Sequence, residues 1–484
     1  MRIAVLTDSH YSSTEATTCG ARQTGIADIL MRRAAFRLNR LLRPDVVILL
    51  GDMVNAGHLA SGQDDLRTLW QHVKLISSPV IAIPGNHDGP VDDFYQVAPR
   101  PAPIVDIAGV RFVVNLDPER PGYNAFREER DLARLAEARQ DWRGPIVTLQ
   151  HVPAFPLGLH SCPYNYVNAA AVTAAEAAAG VTLSLSGHYH PGFDPLNADG
   201  VTYLAAPALC EGAFPITLID LDEKGGLTIS HENLKMPETA GLVDTHVHTR
   251  YAYCNENMEP NRIAAFAHAF GLAEFRLSEH SGHLLHTCPD YYRAQDATIP
   301  APAENRRLDA YLAEMAAADI PAAWTGLEID CRHDGTPLLA PADWERIPFR
   351  IGALHQMPSI HRRLDVSQET LRDEFLGLME RFLQYDFFSL AHPFRVFRRA
   401  KLPIPPGCFS PLVRMLKETD TAAEINFHTN EPPVEFFREC LDAGVKVTLG
   451  SDAHNLYEVG DFALHLDFLK RCGFNGDWRD IIRA

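Results

Sequence analysis

One pattern recurs down this chain and limits what it can fold into. A short uninterrupted apolar run ends abruptly in a carboxylate, an amide or an imidazole. Ile3–Thr7 runs into Asp8 and His10, and Val46–Leu50 into Gly51 and Asp52. Val80–Ile83 leads to Gly85, Asn86 and His87, Ile146–Gln150 to His151, and Leu183–Ser186 to Gly187, His188 and His190. Apolar runs without polar alternation are what strands covered on both faces require. The longer segments Gly25–Leu42, Asp65–Ile76, Arg127–Trp142 and Ala169–Ala179 read as helices, and Thr202–Ala205 and Thr217–Asp220 as two further strands. The expected class is α/β, with polar groups gathered where open parallel sheets collect ligands, at the carboxyl ends of strands. Alternate residues of an extended chain share a face, so each pair Asp8/His10 and His188/His190 can point at one site. The glycine ahead of Asp52, Asn86 and His188 is expected to turn the backbone sharply.

The polar, aperiodic stretch His231–Gly241 reads as a boundary, giving domains of 1–235 and 242–484 with a linker at 236–241. A second series then begins. Strands are expected at Leu242–Asp244, Glu274–Ser278, Trp324–Ile329, Phe349–Leu354, Phe387–Ala391, Ala422–Asn426 and Lys446–Gly450. Helices are expected at Pro260–Ala269, Leu308–Ala318, Gln368–Leu383, Pro411–Glu418 and Pro433–Ala443. Seven strand–helix units in this length point to a closed or nearly closed parallel barrel, whose strand ends converge on one face. At those ends stand His246 and His248, His280, Glu328, His355, His392, Asn426, and Asp452 with His454.

Carboxylate, amide and imidazole together suit borderline divalent cations such as Zn, Mn or Fe. Two ions about 3.5–4 Å apart clamp a phosphoryl group and activate water. The second set has more donors than one tetrahedral ion needs, so two or three ions are expected there. The net charge of −18, from 44 basic and 62 acidic residues, argues against a nucleic-acid partner. It leaves room for a small phosphoester whose charge metals would meet. Nine scattered cysteines without a CxxC pair read as reduced thiols, and the opening apolar run is too short for a signal peptide. With no apolar stretch of membrane-spanning length, a cytoplasmic protein off the membrane is expected. Self-association is left open.

The motifs DxH, GDxxN, GNHD, a lone His and GHxH, in that order over residues 1–235, resemble the calcineurin-like metallophosphoesterase family. The resemblance implies a two-sheet sandwich flanked by helices. Asp8, His10, Asp52 and His190 would hold one metal, and Asp52, Asn86, His151 and His188 the other. His87 would stabilise the transition state or protonate the leaving group. QHVPAFPLG is similar to members that cleave phosphodiesters. From 242 to about 465, the motifs LSEH, GLEID, IGALH and GSDAH resemble the histidinol-phosphatase-like branch of the PHP (polymerase and histidinol phosphatase) family. That implies a distorted (β/α)7 barrel with up to three metals, held by His246, His248, His280, Glu328, His355, His392, Asp452 and His454, with Glu328 bridging. Glu256 stands where that branch often carries a histidine ligand, and a carboxylate there can still hold a hard cation. Neighbouring Cys254 reads as a packed thiol rather than a ligand of a soft ion. Arg395, Arg398 or Arg399 would clamp a substrate phosphate, Arg395 first.

The expected function is metal-dependent phosphoester hydrolysis at two sites, a phosphodiesterase in the first half and a phosphomonoesterase in the second, acting in sequence on a small phosphorylated metabolite or nucleotide. Beside it stand one catalytic half with a regulatory partner, a nuclease, and a non-enzymatic metal scaffold. His58, His72, His160, His231, His268, His283, His286, His333, His361, His428 and His465 fall outside both patterns and read as packing or surface residues.

Overall fold

The computed structural model describes residues 1–14, 19–222, 224–237, 241–285, 296 and 306–483. Residues 238–240 of the expected linker, His286 and Cys288 lie outside them. The chain divides into two compact units, Met1–Lys235 and Met236–Ala484.

In the first unit the strands are β1 (Arg2–Leu6), β2 (Val46–Leu49), β3 (Val80–Ala82), β4 (Ile104–Ile107), β5 (Val110–Val114), β6 (Glu119–Arg120), β7 (Asn124–Ala125), β8 (Ile146–Leu149), β9 (Leu183–Ser186), β10 (Phe193–Ala198), β11 (Val201–Ala205), β12 (Pro215–Leu221) and β13 (Leu227–Asn233). They form two sheets, in the orders β13-β12-β1-β2-β3 and β10-β11-β9-β8-β5-β4, beside the short β6-β7 ribbon. The inner strands of both sheets run parallel, β1 to β2 to β3 and β5 to β8 to β9 to β11. Antiparallel strands close the edges. Alternate residues of the inner strands, such as Ile3, Val5, Val46, Ile48, Phe112, Val147, Leu149, Leu183 and Leu185, meet in one core between the sheets. Their other faces lie under helices Ala27–Arg37, Ala60–Val73, Glu129–Arg139 and Ala169–Ala178. The double covering is why these strands carry no polar alternation. The strands absent from the sequence reading are β4, β5, β6, β7, β10 and β13; β4, β6, β10 and β13 are half-buried or exposed and lack that signature, whereas β5 is buried and its apolar run is interrupted by Arg111. The polar stretch read as a boundary begins inside β13, where His231 pairs with Thr217.

Arg127, expected in a helix, precedes it and is fully buried. It is paired with Asp117 at 2.9 Å and Glu176 at 3.4 Å.

The second unit is a seven-stranded parallel sheet in sequential order: β14 (Val243–Val247), β15 (Glu274–His280), β16 (Thr325–Asp330), β17 (Phe349–Ala353), β18 (Ser389–Ala391), β19 (Ala422–Asn426) and β20 (Val447–Gly450). It nearly closes on itself. Val247 bridges to Ala453, and the His248 amide donates to the Ala453 carbonyl at 3.1 Å. Helices Pro260–Ala269, Arg306–Ala317, Gln368–Phe382, Phe409–Glu418 and Val434–Ala443 lie between the strands, and Ala463–Arg471 follows the last one. Strands β14 and β15 run past their expected ends and carry His246 and His280 inside the strand. Among the described residues, no helix is long and apolar enough to cross a membrane.

Candidate metal centres

In the first unit the strand ends meet in two groups of ligand atoms. Asp8, His10 and His190 form one, and Asp52, His151 and His188 the other. His10 Nε2 faces His190 Nε2 at 3.1 Å, and His188 Nδ1 faces His151 Nε2 at 3.1 Å. Asp52 touches both groups, with Oδ2 3.6 Å from His10 Nε2 and 3.3 Å from His151 Nε2. Asn86 Oδ1 lies 3.1 Å from His151 Nε2. His87 sits beside His10, ring centroids 4.7 Å apart.

The outward nitrogens are fixed. His151 Nδ1 donates to the Leu50 carbonyl at 2.6 Å, and His188 Nε2 to that of Tyr123 at 3.1 Å. His87 Nδ1 donates to the Asn55 carbonyl at 2.9 Å, and His190 Nδ1 to Glu211 at 2.6 Å. Each ring therefore turns its other nitrogen inward, the arrangement that outer hydrogen bonds impose on metal-ligating histidines. The buried Asp8 Oδ1 has no hydrogen-bond donor.

In the barrel, Glu328 is the hub. Its Oε1 is 2.7 Å from His392 Nε2 and 3.3 Å from His355 Nε2, and its Oε2 is 2.5 Å from His280 Nδ1. Asp452 Oδ1 lies 2.9 Å from His248 Nε2 and 3.5 Å from His246 Nε2, and these two nitrogens face each other at 3.1 Å. His454 Nε2 is 3.4 Å from His280 Nε2, and His248, His280 and His454 form a ligand group. Arg395 is buried and donates to Asp452 and, at 2.9 Å, to His355 Nε2, whereas Arg398 and Arg399 are exposed.

Burial should push these carboxylates up and the imidazoles down. Around the hubs, mutual attraction overrides it. Burial opposes ionisation of Asp52, but His151 and His10 hold it well below the usual carboxylate range. Against the same burial, Asp52 and Asp8 raise His151 to about 10. In the barrel, burial is likewise outweighed: Glu328 is held well below its usual range by His355 and His280, and His248 is raised to about 9 by Asp452 and Glu279. Where burial wins, His10 and His188 fall to about 4. Without metal the hub histidines His151 and His248 therefore hold protons that a divalent cation would displace, and ionised carboxylates with the imidazoles so deprotonated are a donor set that fits such cations.

Residues 1–192 match the family model described as calcineurin-like phosphoesterase. This part of the chain is a calcineurin-like metallophosphoesterase. A Drosophila melanogaster relative, Metallophosphoesterase 1 homolog, is 36% identical over 62 residues, 12% of this chain and 17% of that protein, so the chain spans about a sixth of its length. A dimetal phosphatase from Danio rerio is 17% identical over 48% of this chain and 96% of its own, with a TM-score of 0.38. A Listeria monocytogenes protein assigned as histidinol phosphatase hisK is 14% identical over 45% of this chain and 97% of its own, with a TM-score of 0.34.

The metallophosphoesterase domain departs from expectation in its glycines. Gly51 does turn the chain, at φ +92°. Gly85 and Gly187 are needed for space instead. A Cβ at Gly85 would stand 2.3 Å from Asp52 Oδ1, and one at Gly187 2.0 Å from Thr7 Oγ1. The left-handed backbone falls on the ligand residues themselves, Asp8, His10, Asp52, His188, His392 and Asp452, where strain concentrates at functional sites.

Other supporting roles come only from the structure, Glu279 having stood in the sequence beside His280 at its strand end. Glu211, Glu279, Asp330 and Glu424 hold His190, His248, His355 and His246 from outside. Asp330 and Glu424 share a strand face with Glu328 and Asn426, two residues away, so period-two alternation could have revealed them. Cys254, expected as a packed thiol, is exposed. It forms a ligand group with His280 and His283, the latter read as a packing residue. Glu256 is exposed, and its carboxylate accepts from Asn455 Nδ2 at 2.6 Å. His428 stacks on His454 with centroids 4.8 Å apart and donates to Glu458. His160 packs among Phe155, Tyr189 and Phe193, and His465 donates to the Gly450 carbonyl, as packing residues do.

Proposed function

We propose that this chain hydrolyses phosphoesters at two metal centres, a phosphodiester at the metallophosphoesterase domain and a phosphomonoester in the barrel, the second acting on the product of the first. The observation that carries this reading is that each unit has its own buried carboxylate hub, Asp52 and Glu328, ringed by histidines that turn a ring nitrogen inward. Asp8, His10, Asp52 and His190 would hold one ion, and Asp52, Asn86, His151 and His188 a second. His246, His248, His280, Glu328, His355, His392, Asp452 and His454 would hold two or three more. Bound divalent ions supply water of lowered pKa and neutralise phosphoryl oxygens.

The chain's own residues do the rest. His87, with Nδ1 tied to the Asn55 carbonyl, presents Nε2 as proton carrier to the departing oxygen. Arg395, between Asp452 and His355, offers a fork to a phosphate. A cavity of about 310 Å³ is lined by Asn86, His151 and His188 together with Asn115, Asp117, Tyr123 and Tyr166. Its volume suits a small organic leaving group. Asp117 is neutralised there by Arg127, so it does not repel an anionic diester.

The test uses the full chain loaded with manganese or zinc. Asp52→Asn should abolish cleavage of bis-p-nitrophenyl phosphate and spare p-nitrophenyl phosphate, and Asp452→Asn should do the reverse. Either variant keeping the activity assigned to it overturns the division of labour.

A further inference from the structure

The barrel's ligand atoms do not end at the carboxylate hub. The ligand atoms of Cys254, His280 and His283 all lie within 4.8 Å of one another. Donors on one zinc ion lie about 2.3 Å (sulfur) and 2.0–2.1 Å (nitrogen) from it, so no two can be farther apart than about 4.4 Å. In a tetrahedral site such donors stand about 3.3–3.6 Å apart, so the cluster must draw in by up to about an ångström to close on an ion. An exposed cysteine can supply that by rotating about χ1.

The chain around the thiol is held in place. The Tyr253 amide sits 3.3 Å from His283 Nδ1, a contact long enough to yield when the ring turns toward an ion. The Tyr253 and His283 rings are 4.9 Å apart, and His283 and His280 4.3 Å. Two residues on, the Glu256 amide donates to the His454 carbonyl at 3.0 Å while its carboxylate is engaged by Asn455. Glu256 is thus committed to the loop it braces, and the sulfur is the donor left beside His280.

We infer that Cys254, His280 and His283 form a thiolate-containing site for a borderline-to-soft divalent cation, zinc rather than manganese or magnesium, at the rim of the barrel. Sulfur selects for such ions, and the remaining oxygen- and nitrogen-rich positions do not discriminate in that way. Binding transfers the thiol proton to solvent and forms the metal–sulfur bond, with no redox change. Three protein donors leave a fourth position open to water or a substrate oxygen. The inference rests on reading the barrel as metal-binding, and its test separates the two.

The experiment is cobalt(II) titration of the metal-free full chain, followed by absorption spectroscopy. Wild type should develop a near-ultraviolet thiolate-to-cobalt charge-transfer band. Cys254→Ser, a change at an exposed position, should lose that band and one bound ion per chain while keeping its circular dichroism and the visible bands of the remaining cobalt. His283→Gln should lose the band without any cysteine being altered. Zinc should protect Cys254, located by peptide mass spectrometry, from iodoacetamide, and manganese should not. A full cobalt complement without the charge-transfer band, or a band that survives in Cys254→Ser, overturns the thiolate site alone. Equal cobalt content in wild type and Asp452→Asn would overturn the metal reading of the whole barrel, and this site with it.

Discussion

Glu424 accepts the Nδ1 proton of His246 at 2.7 Å, joining the sixth strand of the barrel to the first across 178 residues of sequence. Its other oxygen takes the His392 amide at 2.9 Å and Asn426 Nδ2 at 3.1 Å. One carboxylate thus orients two of the histidines around Glu328. Glu424→Gln should weaken manganese binding in the barrel by about 10–100-fold, the usual cost of losing an outer partner, with native circular dichroism. Calorimetric titration in an Asp52→Asn background measures it.

A methyl group should separate the two centres. Gly187→Ala places a Cβ 2.0 Å from Thr7 Oγ1 and 2.8 Å from Asp8 Oδ2. Neither neighbour is free to withdraw, because Thr7 Oγ1 donates to Asp8 Oδ2 at 2.6 Å and that oxygen also accepts the His188 amide at 2.9 Å. Metal analysis should show a loss of bound ion from the first unit and unchanged content in the second.

The cavity beside His188 contains an unsatisfied acceptor. Asn115 is 1% exposed, lines the cavity, and its Oδ1 takes no hydrogen bond. A leaving group with a donor at that point would gain about 1–2 kcal/mol, so Asn115→Leu should lower kcat/KM for it by about 5–30-fold. Diesters whose leaving group lacks a donor should be affected far less. Steady-state kinetics on a matched pair of diesters decides between these outcomes.

His87→Gln should show its effect through the leaving group. A proton carrier contributes about 10²–10⁴-fold when the departing oxygen needs a proton, and little when it leaves as a stable anion. Alkyl diesters should therefore lose far more rate than bis-p-nitrophenyl phosphate. An equal loss on both would assign His87 to charge stabilisation instead.

Glu176 gives the metallophosphoesterase domain a pH dependence away from its ligands. Burial raises its pKa, against the opposing pull of Arg127, Thr148 and Ser184. A raised carboxyl holds its proton more tightly folded than unfolded. Its contribution to stability is therefore greatest below the ordinary value of 4.5 and declines as pH rises through the raised folded value. Arg127, Thr148 and Ser184 all bond to Oε1, while Oε2 takes no hydrogen bond, so Glu176→Gln loses no partner. The variant should unfold at a urea midpoint that varies less between pH 4.5 and 8 than that of wild type, both measured in chelator.

The strands that build the two units were legible because each is buried on both faces, and such burial demands apolar runs. The half-buried or exposed strands β4, β10 and β13 carry no such demand and were invisible, and the buried β5 was missed because Arg111 breaks its apolar run. The ligand candidates were legible for a related reason. A carboxylate or imidazole directly after a buried strand has no solvent to face, so Asp8, Asp52, His151 and Asp452 mark themselves by position. Cys254 and Glu256 show the limit of that logic. They lie in a loop, where neighbours in sequence say little about neighbours in space, and folding set the sulfur rather than the carboxylate beside His280.

The order of apolar runs and polar ends determined by itself that this chain makes two α/β units, each with donors converging at its strand ends. Local periodicity encodes burial, and burial fixes strand type and direction. Only the tertiary structure decided which nitrogen of each histidine faces inward, that Gly85 and Gly187 are required for space rather than for a turn, and that Glu211, Glu279, Asp330 and Glu424 stand behind the ligands. Those outcomes depend on contacts between residues as far as 180 positions apart, whose distances are set by the packing of whole sheets and not by any window of sequence.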